Sequence, residues 1–114
     1  LIWYLDADLI GILLNDVLIN AMRYGQKKIQ LSVYTKNEQL VFKVEDDGPG
    51  YPSTMLEAHD MSIQHFDISQ GRTGLGLFFA RLIAQAHTKG DNKGKISLKN
   101  GGSLGGGVFV LTLP

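Results

Sequence analysis

The chain has no cysteine. Disulfide staples, thiolate nucleophiles and cysteine metal sites are therefore excluded, and the composition suits a reducing compartment. It has no surplus of charge either, because 11 Lys and Arg residues balance 11 Asp and Glu residues. No global field favours a nucleic acid or an anionic membrane as partner. No apolar run approaches the roughly 20 residues of a membrane span, and no signal peptide is visible in the residues given. The three histidines, His59, His65 and His87, lack Cys, His or Glu company at metal-ligand spacing. His59 and His65 read as surface residues, and His87 as a helix-terminal residue where a cation is tolerated. The first residue is Leu1 and not methionine, which reads as a piece taken from something longer. At 114 residues the chain makes one domain, long enough for a real core.

What is present is organised around residues 8–25, DLIGILLNDVLINAMRYG, whose spacing predicts one long helix. Asp6 and Asp8 are N-cap candidates, and Gly25 suits the position just past the last turn. At ~100° per residue, Asp16, Asn20 and Arg23 fall within roughly 60° of one another. Leu9, Ile12, Leu13 and Tyr24 border that wedge, and Ile10, Leu14, Val17, Leu18 and Ala21 cover much of the rest. An acid, an amide and a guanidinium embedded in apolar surface call for partners, since polar groups buried alone are costly. On the helix alone, a polar stripe facing solvent stays open as the plainer explanation.

Residues 1–5 read as a short strand before this helix. Residues 29–35 and 40–46 alternate, with Ile29, Leu31 and Val33 on one face of the first and Leu40, Phe42 and Val44 on one face of the second. They predict a hairpin with one buried side, closed by a polar loop at 36–38. The period of two carries Asp46 onto the buried face and leaves Lys43 and Glu45 opposite. A buried carboxylate needs a donor, and none is obvious nearby in sequence. Asp47-Gly48-Pro49-Gly50 then makes a tight turn where the backbone can approach something bulky, although strand exits use the same residues. Residues 51–70 show no sustained periodicity and are too long for an ordinary connection, as lids and disordered segments are.

A second helix opens in residues 71–77, GRTGLGL, and runs to about His87. Glycines at a helix start leave the first N–H groups uncovered for a phosphate, or simply allow close packing. Leu75, Phe78, Phe79, Leu82, Ile83 and Ala86 are the expected anchors of this helix. A polar turn at 88–94, a strand at 95–99, a glycine-rich turn at 100–107 and a closing strand at 108–113 complete the chain. The last glycines lack the strand-then-helix context of a phosphate cradle and are assigned to hairpin geometry.

Three stretches occur in order: a helix with an Asp-x-x-x-Asn seam, a strand-end Asp before Gly-x-Gly, and Thr-Gly-Leu-Gly-Leu at a helix start. With them the chain resembles the ATP-binding domain of sensor histidine kinases, part of the superfamily shared with type II topoisomerases, mismatch-repair ATPases and a heat-shock chaperone. The likeness runs from Asp6-Ala7-Asp8 through Asn20-Ala21-Met22-Arg23-Tyr24 and Asp46-Asp47-Gly48-Pro49-Gly50 to residues 109–114. It implies an α+β fold, a two-layer α/β sandwich with a mixed, mostly antiparallel sheet and helices on one face. ATP would lie between a lid, residues 51–71, and the first helix.

The resemblance also implies roles. Asn20 would hold Mg²⁺ through its side-chain oxygen, Arg23 would reach the phosphates, and Tyr24 would border the base or ribose. Asp46 would accept a hydrogen bond from the adenine amine, and Gly48 and Gly50 would let the base lie close to the backbone. Thr73, Gly74, Leu75 and Gly76 would close over the phosphates. Asp16 stands where the family often has Asn or Glu, with a catalytic role in orienting magnesium-bound water or the incoming histidine. Tyr51 stands where a small aliphatic often lines the adenine site. Arg72 replaces the first glycine of the second glycine motif, which makes the lid hinge stiffer and more basic. Residues 88–94 look longer than the usual turn.

In this family the phosphoacceptor histidine sits on a separate dimerisation domain, and none of the three histidines here fits such a motif. The chain therefore reads as the catalytic half of a cytoplasmic two-component kinase. Its expected partners are that histidine-containing domain and, through it, a response regulator, with no nucleic acid and no direct membrane contact. Whether the parent is anchored in the inner membrane stays open. So do three alternatives: an anti-sigma-factor serine kinase, a hydrolytic ATPase using Asp16, and a non-catalytic nucleotide-binding module.

Overall fold

Asp6 starts the first helix. In the computed structural model, which describes residues 5–24, 27–51, 56 and 74–114, its Oδ1 accepts the Leu9 N–H at 3.1 Å. Its carbonyl accepts the Ile10 N–H at 2.9 Å. That is the N-cap pattern, and it answers donors that a helix start otherwise leaves open. Asp8 lies instead in the first turn of α1 (Ala7–Tyr24), where a negative charge complements the helix dipole. Ile10, Leu13, Val17 and Ala21 are buried, one stripe at helical spacing.

The side carrying Asp16 behaves differently. Asp16 is exposed, and so are Leu9, Ile12 and Ile19. Of the apolar residues expected to border the wedge, Leu9 and Ile12 are thus on the outer side of the helix, whereas Leu13 is buried in the core.

β1 (Ile29–Lys36) and β2 (Gln39–Asp46) are joined by Asn37 and Glu38, whose φ angles of 54° and 63° are both left-handed. This is the two-residue turn whose twist matches that of a hairpin. After α2 (Gly74–Ala86) come β3 (Thr88–Lys89) and β4 (Asn92–Lys93). These form a small separate ladder where a polar turn was expected, which accounts for its extra length. β5 (Lys95–Asn100) and β6 (Gly107–Leu113) follow. The main sheet runs β1-β2-β6-β5, and every ladder among the described residues is antiparallel.

Register decides the faces. Leu31 opposes Val44, Val44 opposes Phe109, and Phe109 opposes Leu98. Leu40, Val44, Ile96, Phe109, Leu111 and Leu113 join the buried stripe of α1 and Ala80 and Ala84 of α2 in one core. The architecture is the two-layer sandwich that the resemblance implies, with α1 and α2 on one face. Two packing expectations change. Ile29, Leu31 and Val33 lie on the helix side but are 39%, 45% and 49% exposed, because β1 is the outermost strand and α1 packs over β2. Phe79 and Leu82 are exposed, as is Ala86. Of the expected anchors Ile83 does pack on the core, half-buried, and α2 is otherwise seated through Ala80 and Ala84, whose small side chains bring it close to the sheet. The side chains of Leu75 and Phe78, residues 1–4 and Gly25 lie outside the described residues. No described helix is long and apolar enough to cross a membrane.

Candidate nucleotide site

The end of β2 places two consecutive carboxylates. Asp46 is 3% exposed, and its Oδ1 accepts the Gly48 N–H at 2.9 Å and the Gly107 N–H at 3.1 Å. The Gly106 N–H donates to the Asp46 carbonyl at 3.0 Å. The donor that seemed missing from nearby sequence is thus a backbone group two residues on, in an Asx-type turn, joined by a second from β6. A Cβ on Gly106 would lie 2.6 Å from both Asp46 Oδ1 and Gly48 N, so this approach needs glycine.

Asp47 faces another way. Both its oxygens accept the Lys27 N–H, at 2.9 and 3.1 Å, and its own N–H donates to the Lys28 carbonyl at 3.3 Å. The chain leaving α1 is thereby tied to the strand end that carries Asp46.

The strand exit is held by a residue from β5. Asn100 Oδ1 accepts the Tyr51 N–H at 2.7 Å, and Nδ2 donates to the Tyr51 carbonyl at 3.0 Å. Gly50 is buried with φ +86°, and a Cβ there would sit 2.6 Å from Asn100 Oδ1. Gly50 therefore makes room for this amide, a close approach that the sequence did not show. Tyr51 is half-buried and packs against the core.

Glu45, expected on an open face, is only 5% exposed. The turn between β5 and β6 folds over it. Ser103 Oγ donates to its Oε2 at 2.7 Å, and Lys43 Nζ lies 3.1 Å from its Oε1. The Ser103 hydroxyl and then Lys43 hold its carboxyl below the usual range, against the raising effect of burial.

The strand that ends in the Asp46 carboxylate, pinned by main-chain donors beside a glycine turn, is the one α1 packs over. Residues 5–114 match the family model described as "Histidine kinase-, DNA gyrase B-, and HSP90-like ATPase". The chain belongs to this ATPase family.

Among its relatives in the family is the signal transduction histidine-protein kinase AfsQ2 of Streptomyces coelicolor. It is 31% identical over 96% of this chain and 20% of its own length. The sensor histidine kinase GtrS of Pseudomonas aeruginosa is 41% identical over 76% of this chain and 17% of its own length. The chain thus spans about a fifth of such relatives. The catalytic domain of histidine kinase ThkA superposes with a TM-score of 0.73 at 25% identity, covering 96% of this chain and 68% of that one.

In this ATPase-family domain the other expected residues fall as follows. Asp16 is exposed on α1, one turn before Asn20. Asn20, Arg23 and Tyr24 belong to α1, and Gly74, Leu75 and Gly76 open α2, but their side chains lie outside the described residues, as do Arg72 and Thr73. Of the lid, only Tyr51 and Leu56 are described. The structure brings Asp46, Gly48, Gly50 and Tyr51 together at one strand end. Among the described residues, no group of three or more His, Cys, Asp or Glu could hold a metal. His87 directly follows the last residue of α2, the helix-terminal place expected of it. Its Nε2 accepts the Asp6 N–H at 2.9 Å, so Nδ1 carries the proton given to the Ile83 carbonyl at 2.8 Å. A polar cleft of about 510 Å³, lined by Asn37, Glu38, Lys89 and neighbours, contains none of the expected site residues.

Sequence reasoning missed Asn100, Ser103, Gly106 and Gly107. One signal was available. Six residues, 101–106, separate the paired Asn100 and Gly107, more than the roughly two to five usual for a hairpin loop.

Proposed function

We propose that this domain binds Mg-ATP beside the end of β2 and donates the γ-phosphate to a histidine on a separate dimerisation domain, in two-component signalling. The reading is supported by family membership, by relatives named as histidine kinases, and above all by Asp46. A carboxylate is acceptor-only when ionised, and this one is buried and oriented by main-chain N–H groups. It suits an exocyclic amine such as adenine's and opposes a carbonyl oxygen at the same place.

Asn20 is the residue to hold Mg²⁺, which when bound neutralises phosphate charge. Arg23 and the residues from Arg72 to Gly76 would contact the phosphates. Asp16 would orient the acceptor. Phosphoryl transfer depends mainly on positioning and charge neutralisation, so a domain can supply it without carrying the nucleophile.

Titration calorimetry with ATP, with and without Mg²⁺, tests the site. Wild type should bind in the millimolar range or tighter, more tightly with Mg²⁺. A hydrogen bond to a charged group is worth ~1.5–3 kcal/mol, so Asp46→Ala should weaken ATP binding roughly tenfold to a hundredfold. Absence of binding by wild type, or undiminished binding by Asp46→Ala, would overturn the assignment.

A further inference from the structure

The turn between β5 and β6 is held from several sides, and one hold is more than a hairpin needs. Asn100 spends both ends of its amide on a single residue, accepting from the Tyr51 N–H and donating to the Tyr51 carbonyl. That is the exchange a neighbouring antiparallel strand makes, here supplied by a side chain 49 positions away. Across the β5–β6 ladder, Asn100 is paired with Gly107, whose N–H holds Asp46 Oδ1. Residues 46–51 are therefore pinned at both ends to one rung of the sheet.

Between those pins lie Gly48, Pro49 and Gly50, a stretch with wide backbone freedom at its glycines. The Gly48 N–H is the other donor to Asp46 Oδ1, so its place depends on where the far end of the stretch is held. The geometry points to Asn100 as a positioning residue of the nucleotide site. By fixing Tyr51 it fixes the Gly48 donor, which sets the direction of the Asp46 carboxylate and so its preference for a base bearing an exocyclic amine. This rests on the reading that Asp46 receives adenine.

The test compares ATP with inosine triphosphate, which carries a carbonyl where adenine has its amine. Dissociation constants of both are measured by calorimetry for wild type, Asn100→Ala and Asn100→Asp, with thermal unfolding in parallel. Asn100→Asp keeps the shape and the acceptor for the Tyr51 N–H but turns an oxygen towards the Tyr51 carbonyl. Wild type should prefer ATP. In both variants that preference should fall about tenfold, with inosine triphosphate binding changed less than about twofold. A merely structural role would weaken both nucleotides by one factor and leave the ratio intact, and that result overturns the proposal alone. Loss of the folded domain in both variants also overturns it, making Asn100 a strut of the fold. Equal wild-type affinity for the two nucleotides would overturn the adenine reading and this proposal together.

Discussion

Glu45 and Asp46 leave β2 on opposite faces and both are buried; Ser103 of the β5–β6 turn donates to one, and Gly107, where β6 begins, to the other. The period of two in 40–46 shows which way each side chain points. It does not show that Glu45 is covered, because the cover comes from Ser103, 58 positions away. The consequence is measurable. The Glu45 carboxyl is held below the usual carboxylate range, by the Ser103 hydroxyl first and Lys43 next. A carboxyl depressed in the folded state contributes stability that is fully present above the unfolded value and fades as pH falls through the lower folded value. Glu45→Gln should therefore be less stable than wild type at about pH 7, with the difference shrinking below about pH 4 as the wild-type carboxyl protonates. Urea midpoints at the two pH values check this. A difference that stays constant with pH would show that the charge of Glu45 contributes nothing.

At the scale of elements, most of the fold was legible. Asp6, the apolar spacing of 8–25 and the two alternating runs marked α1, β1 and β2 to within a residue or two. The faces were less so. α1 and α2 carry apolar residues over more of their circumference than the core covers, so period alone could not tell Ala80 and Ala84 from Phe79 and Leu82 as the seat of α2. The β1–β2 turn offers a local test. Asn tolerates a left-handed backbone, but Glu38 at φ 63° pays the usual penalty of ~1–2 kcal/mol for an L-residue there. Glycine gives back about 0.5–1 kcal/mol in chain entropy. Glu38 is exposed, so Glu38→Gly should stabilise the domain by roughly 0.5–1 kcal/mol, read as a higher urea midpoint with an unchanged slope. An unchanged or lowered midpoint would mean that the turn carries no such strain.

For the whole molecule, the question is which chemistry the domain performs. The three-motif order was legible as a family resemblance, and the family match over residues 5–114 agrees with it. The braces around Asp46 were not legible, because they join residues 49 and 61 positions apart. Kinase and hydrolase readings separate at Asp16 and at the acceptor. Asp16 is exposed on α1, and a general base must come within ~3 Å of the proton it takes, directly or through one water. Aspartate is a methylene shorter than glutamate and reaches less far, so water activation should be poor. Of the histidines, His87 is engaged at both ring nitrogens, bridging Asp6 and Ile83, which leaves it ill placed to accept phosphate. Alone, the chain should neither label itself on histidine nor release phosphate quickly from ATP. Mixed with the dimerisation domain of its proposed parent, it should transfer the γ-phosphate to that domain's histidine in trans. The measurement is acid-labile radiolabel from γ-labelled ATP, run beside phosphate release by the chain alone. Rapid release abolished by Asp16→Asn, with no label on the partner's histidine, would mark the domain as a hydrolase instead.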